Sequence, residues 1–401
     1  MKKATLLMIS AGIATGMISC QSDEPDNAAP SPFTSIEMPE STRGISDNGN
    51  DFAIDLFSKV ANADEGENIV ISPYSAFNVL AMLANGDDSE TRDEVLERLG
   101  FGKNESGLLG LNDYCRTLNS ALPTLDNRTR LAVANSIWGE ISPLASFADA
   151  AKNTFNTHFI NQNPAGDSGK DAINKWVSSN TENMIPEFIQ NPLFTELAII
   201  NATYFNGEWQ KKFDKSNTAQ GQFLCHDYTW TTKDFMNLSD TFYAYSDEKI
   251  DMVELPYGSG NFSMILAKPS KDENMAGLLE YLESKTVNSI FSELEKTNVE
   301  LSVPKFSSRT RSDLLTYLGL EKARSTGFNS IVDSRDNFLL TAIIQETVIT
   351  VDENGTESAS VSMAGMVTSP MYTEMKFDSP FIYMIRETST NTILFIGQVL
   401  K

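Results

Sequence analysis

Histidine is almost missing from this chain: His158 and His226 are the only two in 401 residues. Zinc sites built from several His and Cys ligands therefore have almost no material, and no metal or other cofactor is expected. Cysteine is scarce too, with Cys20, Cys115 and Cys225 alone. Cys115 falls in a helical pattern and Cys225 in a strand-like one, and no spacing motif links them, so nothing requires a pair. Positive charge is short as well: 31 Lys and Arg against 54 Asp and Glu leave a net charge of −23. Binding to a phosphate backbone needs clustered Lys and Arg, so no nucleic-acid partner is expected. The G-x-S-x-G elbow, the P-loop, the dinucleotide fingerprint and H-E-x-x-H are all missing, as is any repeat at solenoid spacing. An enzyme is not expected.

One tetrapeptide runs against that expectation. "GDSG", Gly166 to Gly169, matches the surroundings of a trypsin-like nucleophile, but a nucleophilic Ser168 needs a His base and an orienting carboxylate. Its flanks read as a loop entering a helix. The N-terminus is more informative. Two lysines precede sixteen apolar or small residues, Ala4 to Ser19, and then Cys20. That run is a secretory signal, too short for a membrane span. A small residue directly before a cysteine resembles the bacterial lipobox, which implies cleavage after residue 19 and lipidation of Cys20. Residues 20–47 are rich in Ser, Pro, Asp, Glu and Asn and read as a disordered tether. Ser22, Asp23 and Glu24 resemble an acidic surface-export signal. An outer-membrane lipoprotein, exposed at the surface and held by Cys20, is the expected localisation.

From residue 48 to 401 no second linker appears, and one layered domain is expected. "DFAIDLFSKVA" has helical spacing from Phe52 to Val60. In "NIVISPYSAFNVL" a short β-branched run meets Ser72 and Pro73, an N-cap followed by proline at the first helical position. "LAVANSIWGE" and "LAIINATYFNGEW" read as strands buried on both faces, and "IDMVELPYGSGNFSMILAKP" as two strands joined by a glycine-rich turn. The class is α+β.

One stretch fits none of these elements. From Ser358 to Thr373 sixteen residues carry no charge, and proline is absent until Pro370. Three readings are open: a flexible linker, an ordinary strand, or a loop that later becomes a strand. The third would require such a composition, because an unpaired charge is costly to bury and proline removes a ladder hydrogen bond, but the residues alone leave all three open.

Nine segments, in this order, resemble the serpins: "NIVISPYS", "VANSIW", "INKWVSSNTENMI", "LAIINATYFNGEW", "VELPYGSGNFSM", "VPKF", "VDENGTESAS", "SPFIYMIRE" and "ILFIGQVL". The resemblance implies a serpin fold of about nine helices and three β-sheets, with an exposed reactive-centre loop over about residues 354–376. It implies a suicide, or trapping, inhibitor of serine and also cysteine endopeptidases, acting by loop cleavage and insertion of the loop into the main sheet; the alternative is a non-inhibitory binding or carrier module. It places the hinge at Glu353, Gly355, Thr356, Glu357, Ser358, Ala359 and Ser360. Glu353 is matched to pair with Lys305 and Trp209 to pack beneath it, while Ser72, Ser75 and Asn201 match a polar cluster under the sheet. Gln345 stands where many relatives have histidine. Apolarity alone would bury Ala359, Val361, Met363 and Val367; the resemblance buries Thr356, Ser358, Ser360, Ser362 and Ala364, and we follow it.

Ordinary loop length places the scissile bond at Ser369–Pro370, a bond that proline protects. Thr368–Ser369 is the first choice, Met366–Val367 the second and Met371–Tyr372 the third. The implied partners are elastase-like, subtilisin-like, chymotrypsin-like or papain-like proteases. Trypsin-like enzymes are excluded because no Lys or Arg lies between Glu357 and Lys376. Arg116 stands alone where heparin-activated relatives carry basic clusters, so heparin is not an expected partner, and a monomer is expected.

Overall fold

A computed structural model describes residues 31–42, 45–64, 66–87, 90–103, 105–195, 197–271, 273–332, 339, 342–356 and 372–401. Among these residues lie ten α-helices: α1 (Ile45–Ala63), α2 (Pro73–Ala84), α3 (Glu90–Arg98), α4 (Glu105–Ala121), α5 (Ala145–Phe155), α6 (Gly166–Asn180), α7 (Met275–Ser284), α8 (Val287–Ser292), α9 (Leu315–Leu318) and α10 (Glu321–Ser325). Ser72 caps α2 by accepting a hydrogen bond from the Ser75 amide, with Pro73 at the helix start. Every residue of α2 is buried. A helix this apolar all round belongs in a protein's centre, and α2 runs between the two sheets' core-facing sides.

The larger sheet holds β1 (Ile69–Ile71), β5 (Ala219–Leu224), β6 (Trp230–Ser246), β7 (Ile250–Tyr257), β8 (Phe262–Pro269), β9 (Glu295–Pro304), β13 (Thr373–Lys376), β14 (Phe381–Glu387) and β15 (Ile393–Val399). The smaller sheet is ordered β10 (Phe306–Asp313), β11 (Ile343–Val351), β4 (Ala198–Glu208), β2 (Thr129–Trp138) and β3 (Thr157–Ile160), with β12 (Gly355–Thr356) added on β4. Three sheets were expected; two hydrogen-bonded networks are found among the described residues. The cause is β6, seventeen residues long, which pairs with β5 and β9 and then with β7 through its last residues, Tyr243 to Ser246. One strand thus joins what the resemblance counts as two sheets.

The smaller sheet has a different apolar layer on each face. On one side it closes the main core, which includes α1, α2 and β14–β15. On the other side Ile173 and Val177 of α6 pack with Trp138, Ile200 and Ala202 in a second cluster. Alternating residues of β4 therefore serve two layers, the pattern expected of a strand covered on both faces.

The tether expected over residues 20–47 does not extend through residues 31–42. The Ser31 amide donates to Asn127 Oδ1 at 3.0 Å, the Thr34 amide to Asn261 Oδ1 at 3.3 Å, and the Ile36 amide to Ser389 Oγ at 2.9 Å. Ile36 is buried, and α1 starts at Ile45. Backbone amides caught by side chains in three separate turns hold this segment, a contact that composition does not register.

Cys115 and Cys225 are free and buried, and burial pushes the Cys115 thiol well above its ordinary pKa, leaving it unreactive. In protein starting at Gln21, thiol titration should find no fast-reacting group in native buffer and both cysteines in denaturant; unreactive cysteines in denaturant without reductant would mean that they pair.

Candidate functional site

The candidate site is the seam between β4 and β11. These strands pair in parallel from Ile343↔Ile199 to Val348↔Tyr204. Beyond that point they part, and the chain leaving β11 turns back between them. The Asp352 amide donates to Gly355 O at 2.9 Å, and β12 then runs antiparallel to β4, with Gly355 opposite Glu208 and Thr356 opposite Gly207. Gly355 has φ +143°, and a Cβ there would collide with the Gly207 carbonyl oxygen. Only glycine fits this close approach of two backbones.

The turn is anchored on its far side. Lys305 Nζ lies 3.0 Å from Glu353 Oε2, and the Glu353 side chain is only 4% exposed. Thr218 Oγ1 donates to Glu353 Oε1 at 2.9 Å, and the Phe213 amide donates to Glu353 O at 2.9 Å. Burial works to raise the Glu353 pKa, but hydrogen bonds from its own amide, Lys305 and Thr218, with the ammonium charge, outweigh it and hold the carboxyl below its ordinary value. Trp209 closes the floor: its Nε1 donates to Asp352 O at 2.9 Å, its amide to Asn354 O at 2.9 Å, and its ring stacks on Tyr257 at 4.3 Å.

Lower down, a polar cluster lies under the seam. Gln345 Oε1 accepts from the Ser72 amide at 2.8 Å, and its Nε2 donates to Ser72 O at 2.9 Å and to Asn201 Oδ1 at 3.3 Å. Asn201 Nδ2 also reaches Ser75 Oγ and, at 2.7 Å, Asn135 Oδ1. Thr203 Oγ1 donates to Ser75 Oγ at 2.9 Å. Glutamine thus bridges α2, β11 and β4 at once, using both ends of its amide. Asn135, Thr203 and Thr218 escaped sequence reasoning. The first two left a signal, polar residues in the middle of apolar strands; Thr218 left none.

Several expected site residues lie outside the described residues: Cys20, hinge residues Glu357, Ser358, Ala359 and Ser360, and Met366, Val367, Thr368, Ser369 and Pro370 around the scissile bond. Ser168 lies on the exposed first turn of α6, and the His158 ring packs against Trp176, 5.9 Å between centroids. Among the described residues no group of three or more His, Cys, Asp or Glu is placed to hold a metal ion.

The family model described as "Serpin (serine protease inhibitor)" matches residues 47–401. The chain belongs to the serpin family. Human glia-derived nexin is 28% identical over 377 residues, covering 88% of this chain and 92% of that protein. Among solved serpins, the thermophilic Tengpin in its native state superposes with a TM-score of 0.80 at 27% identity, covering 94% of this chain and 98% of that one. Human thyroxine-binding globulin matches at 0.81 and 25% identity, covering 90% and 99%. The architecture described above is accordingly the serpin fold.

Replacing Lys305 by Ala leaves the buried Glu353 with Thr218 as its remaining side-chain partner, and should destabilise the intact serpin by about 1–3 kcal/mol. Because the Glu353 pKa is depressed in the fold, its contribution is present above the pKa of a free glutamate and disappears as pH falls through its own lower value. Denaturant melts of both forms should therefore differ at pH 7 and converge in acid; an equal gap at both pH values would contradict the assignment.

Proposed function

We propose that this serpin is a trapping inhibitor of endopeptidases, spent in a single turnover when its loop is cut and drawn into the seam between β4 and β11. The observation that supports this reading most is the pairing of Gly355 and Thr356 with β4. Two residues of the hinge already occupy the top of the seam, antiparallel to its wall. At the same register, an entering strand would set Ser358 opposite Phe205, Ser360 opposite Thr203 and Ser362 opposite Asn201. Paired residues in a sheet share a face. Phe205 belongs to the main core and Thr203 and Asn201 to the polar cluster beneath it, so the serines would enter the core face. Ala359, Val361 and Met363 would turn toward the α6 layer, where Ile200 and Ala202 lie. The choice between the two faces thus rests on a register as well as on family likeness.

The targets we propose have small or apolar specificity pockets: elastase-like, subtilisin-like, chymotrypsin-like or papain-like proteases. The uncharged loop around Thr368–Ser369 offers a trypsin-like pocket nothing to hold. We further propose that the chain acts at a bacterial cell surface, anchored through Cys20; the support is the sequence pattern before that residue. A carrier role takes support from likeness to thyroxine-binding globulin, but it does not explain sixteen uncharged residues after a glycine hinge.

The test is incubation with a protease panel and denaturing gels, with mass spectrometry of the released C-terminal peptide to find the cut bond. A complex that survives SDS is expected with an elastase-like or subtilisin-like enzyme. Ser358→Arg should lower the yield of that complex by at least about tenfold, since an unpaired charge would be buried against Phe205, whereas Ala359→Arg should retain most of it. Cleavage without complex by every protease would overturn the reading in favour of a carrier, and equal effects of the two arginines would overturn the register.

A further inference from the structure

A different set of contacts lies on the opposite face of the same seam. The connection from α6 to β4, described over residues 181–195 and 197, does not pass directly between them. It swings out over the outer strands and back. Ile185, Phe188 and Ile189 are buried in the layer that also takes Trp138, Ile200 and Ala202, with Ile344 and Val348 of β11 packed against it. At its far point, Arg309 of β10 donates from Nη2 to Glu187 O at 2.8 Å and from Nε to Glu346 Oε1 at 2.5 Å. Arg311 lies over the Phe188 ring at 5.9 Å. On the inner side Asn174 of α6 accepts from the Phe188 and Ile189 amides at 2.9 and 2.8 Å and donates to Ile189 O at 2.8 Å.

The connection is therefore fixed at two points: to α6 through Asn174, and to β10 through Arg309. Helix α6 itself rests on the β2–β4 side of the seam, Ile173 and Val177 packing with Trp138, Ala198 and Ile200. A strand entering between β4 and β11 moves β10 and β11 away from β4 by one strand spacing, about 4.8 Å. A 2.8 Å hydrogen bond cannot stretch that far. Arg309 and Glu346 sit on neighbouring strands of the same moving half, so their pair survives; the bond to Glu187 O spans the gap and must break, or α6 must slide off its bed.

We infer that Arg309 is a tie across the opening seam, whose hold on the Glu187 carbonyl sets how fast the sheet parts to accept a strand. Arg309 is a positioning residue acting through the connection. Its guanidinium suits the task because a planar fork serves two acceptors at once, whereas an ammonium would stay with the carboxylate. The Glu346 side chain is 1% exposed and its Oε2 has no hydrogen-bond partner among the described residues; Arg309 is its hydrogen-bonded charge partner, with Arg311 opposite it across the two strands. This inference rests on the trapping reading above.

The test uses the full chain and no protease. A fluorescein-labelled synthetic peptide with the sequence of residues 356–367 is mixed with intact protein, and its uptake is followed on native gels. Arg309→Lys, which keeps a charge beside Glu346 but gives up Glu187 O, should take up peptide on the order of tenfold faster than the natural protein, as befits the loss of one charge-assisted hydrogen bond. The melting temperature of the peptide-filled form should not change, because the tie is already broken there. Asn174→Ala, which frees the same connection at its other end, should also speed uptake and serves if the Arg309 variant does not fold. Rates within about twofold of the natural protein for both variants would overturn the tie, as would equal destabilisation of empty and filled forms without faster uptake, or no uptake by any form. Protease trapping by the natural protein is measured in parallel. If trapping is seen while the rates are equal, the tie alone falls; if neither trapping nor uptake is seen, the trapping reading falls with it.

Discussion

The parallel pairing of β4 with β11 is the contact on which the rest depends. It is the one place in the smaller sheet, among the described residues, where two long central strands meet in parallel without a third strand between them for most of their length, while β12 already wedges their upper ends apart. Parallel ladders are slightly less stable per residue than antiparallel ones. Because β12 runs antiparallel to β4, any strand continuing it replaces one parallel ladder with two antiparallel ladders. If that exchange nets roughly ten backbone hydrogen bonds at about 1 kcal/mol each, it supplies on the order of 10 kcal/mol, comparable with the whole stability of an ordinary domain.

The seam stays closed because small contacts hold it from both sides. Below, Gln345 bridges Ser72 and Asn201, joining the two walls to the buried helix α2. Above, Asn174 and Arg309 hold the connection over β11. At the upper end Glu353, Lys305 and Trp209 fix the turn that starts the wedge. Each is a local polar contact of ordinary strength, and none by itself outweighs the gain from the exchange of ladders. In the trapping reading, the barrier is the need to release several of them together.

Much of this is legible in the sequence for reasons that are local. Ser72 before Pro73 marks the start of α2 because capping chemistry is confined to a few neighbouring residues, and the β7–β8 hairpin is announced by the turn residues of Gly258 to Asn261. The stretch from Ser358 to Thr373 stands out through what it excludes, charge and, before Pro370, proline. Contacts between residues far apart in the chain are not visible. No pattern in residues 31–42 says that Asn127, Asn261 and Ser389 will catch their amides, and nothing in "PKFSSRTRS" says that Arg309 will reach Glu187. The joining of two sheets by β6 is likewise hidden, since one strand can change partners along its length without any change in its own alternation. Glu353 and Lys305 are matched only through family likeness; spacing alone does not bring positions 305 and 353 together.

The central claim is that the intact fold is not the most stable arrangement of this chain, because its main seam lacks a strand that the chain itself carries. Thermal unfolding of the protein before and after a single cut between residues 366 and 372, with both fragments retained, tests it most directly. The account predicts that the cut form melts higher, by on the order of 20 °C for a gain of this size. Equal melting temperatures, or a lower one after the cut, would contradict it.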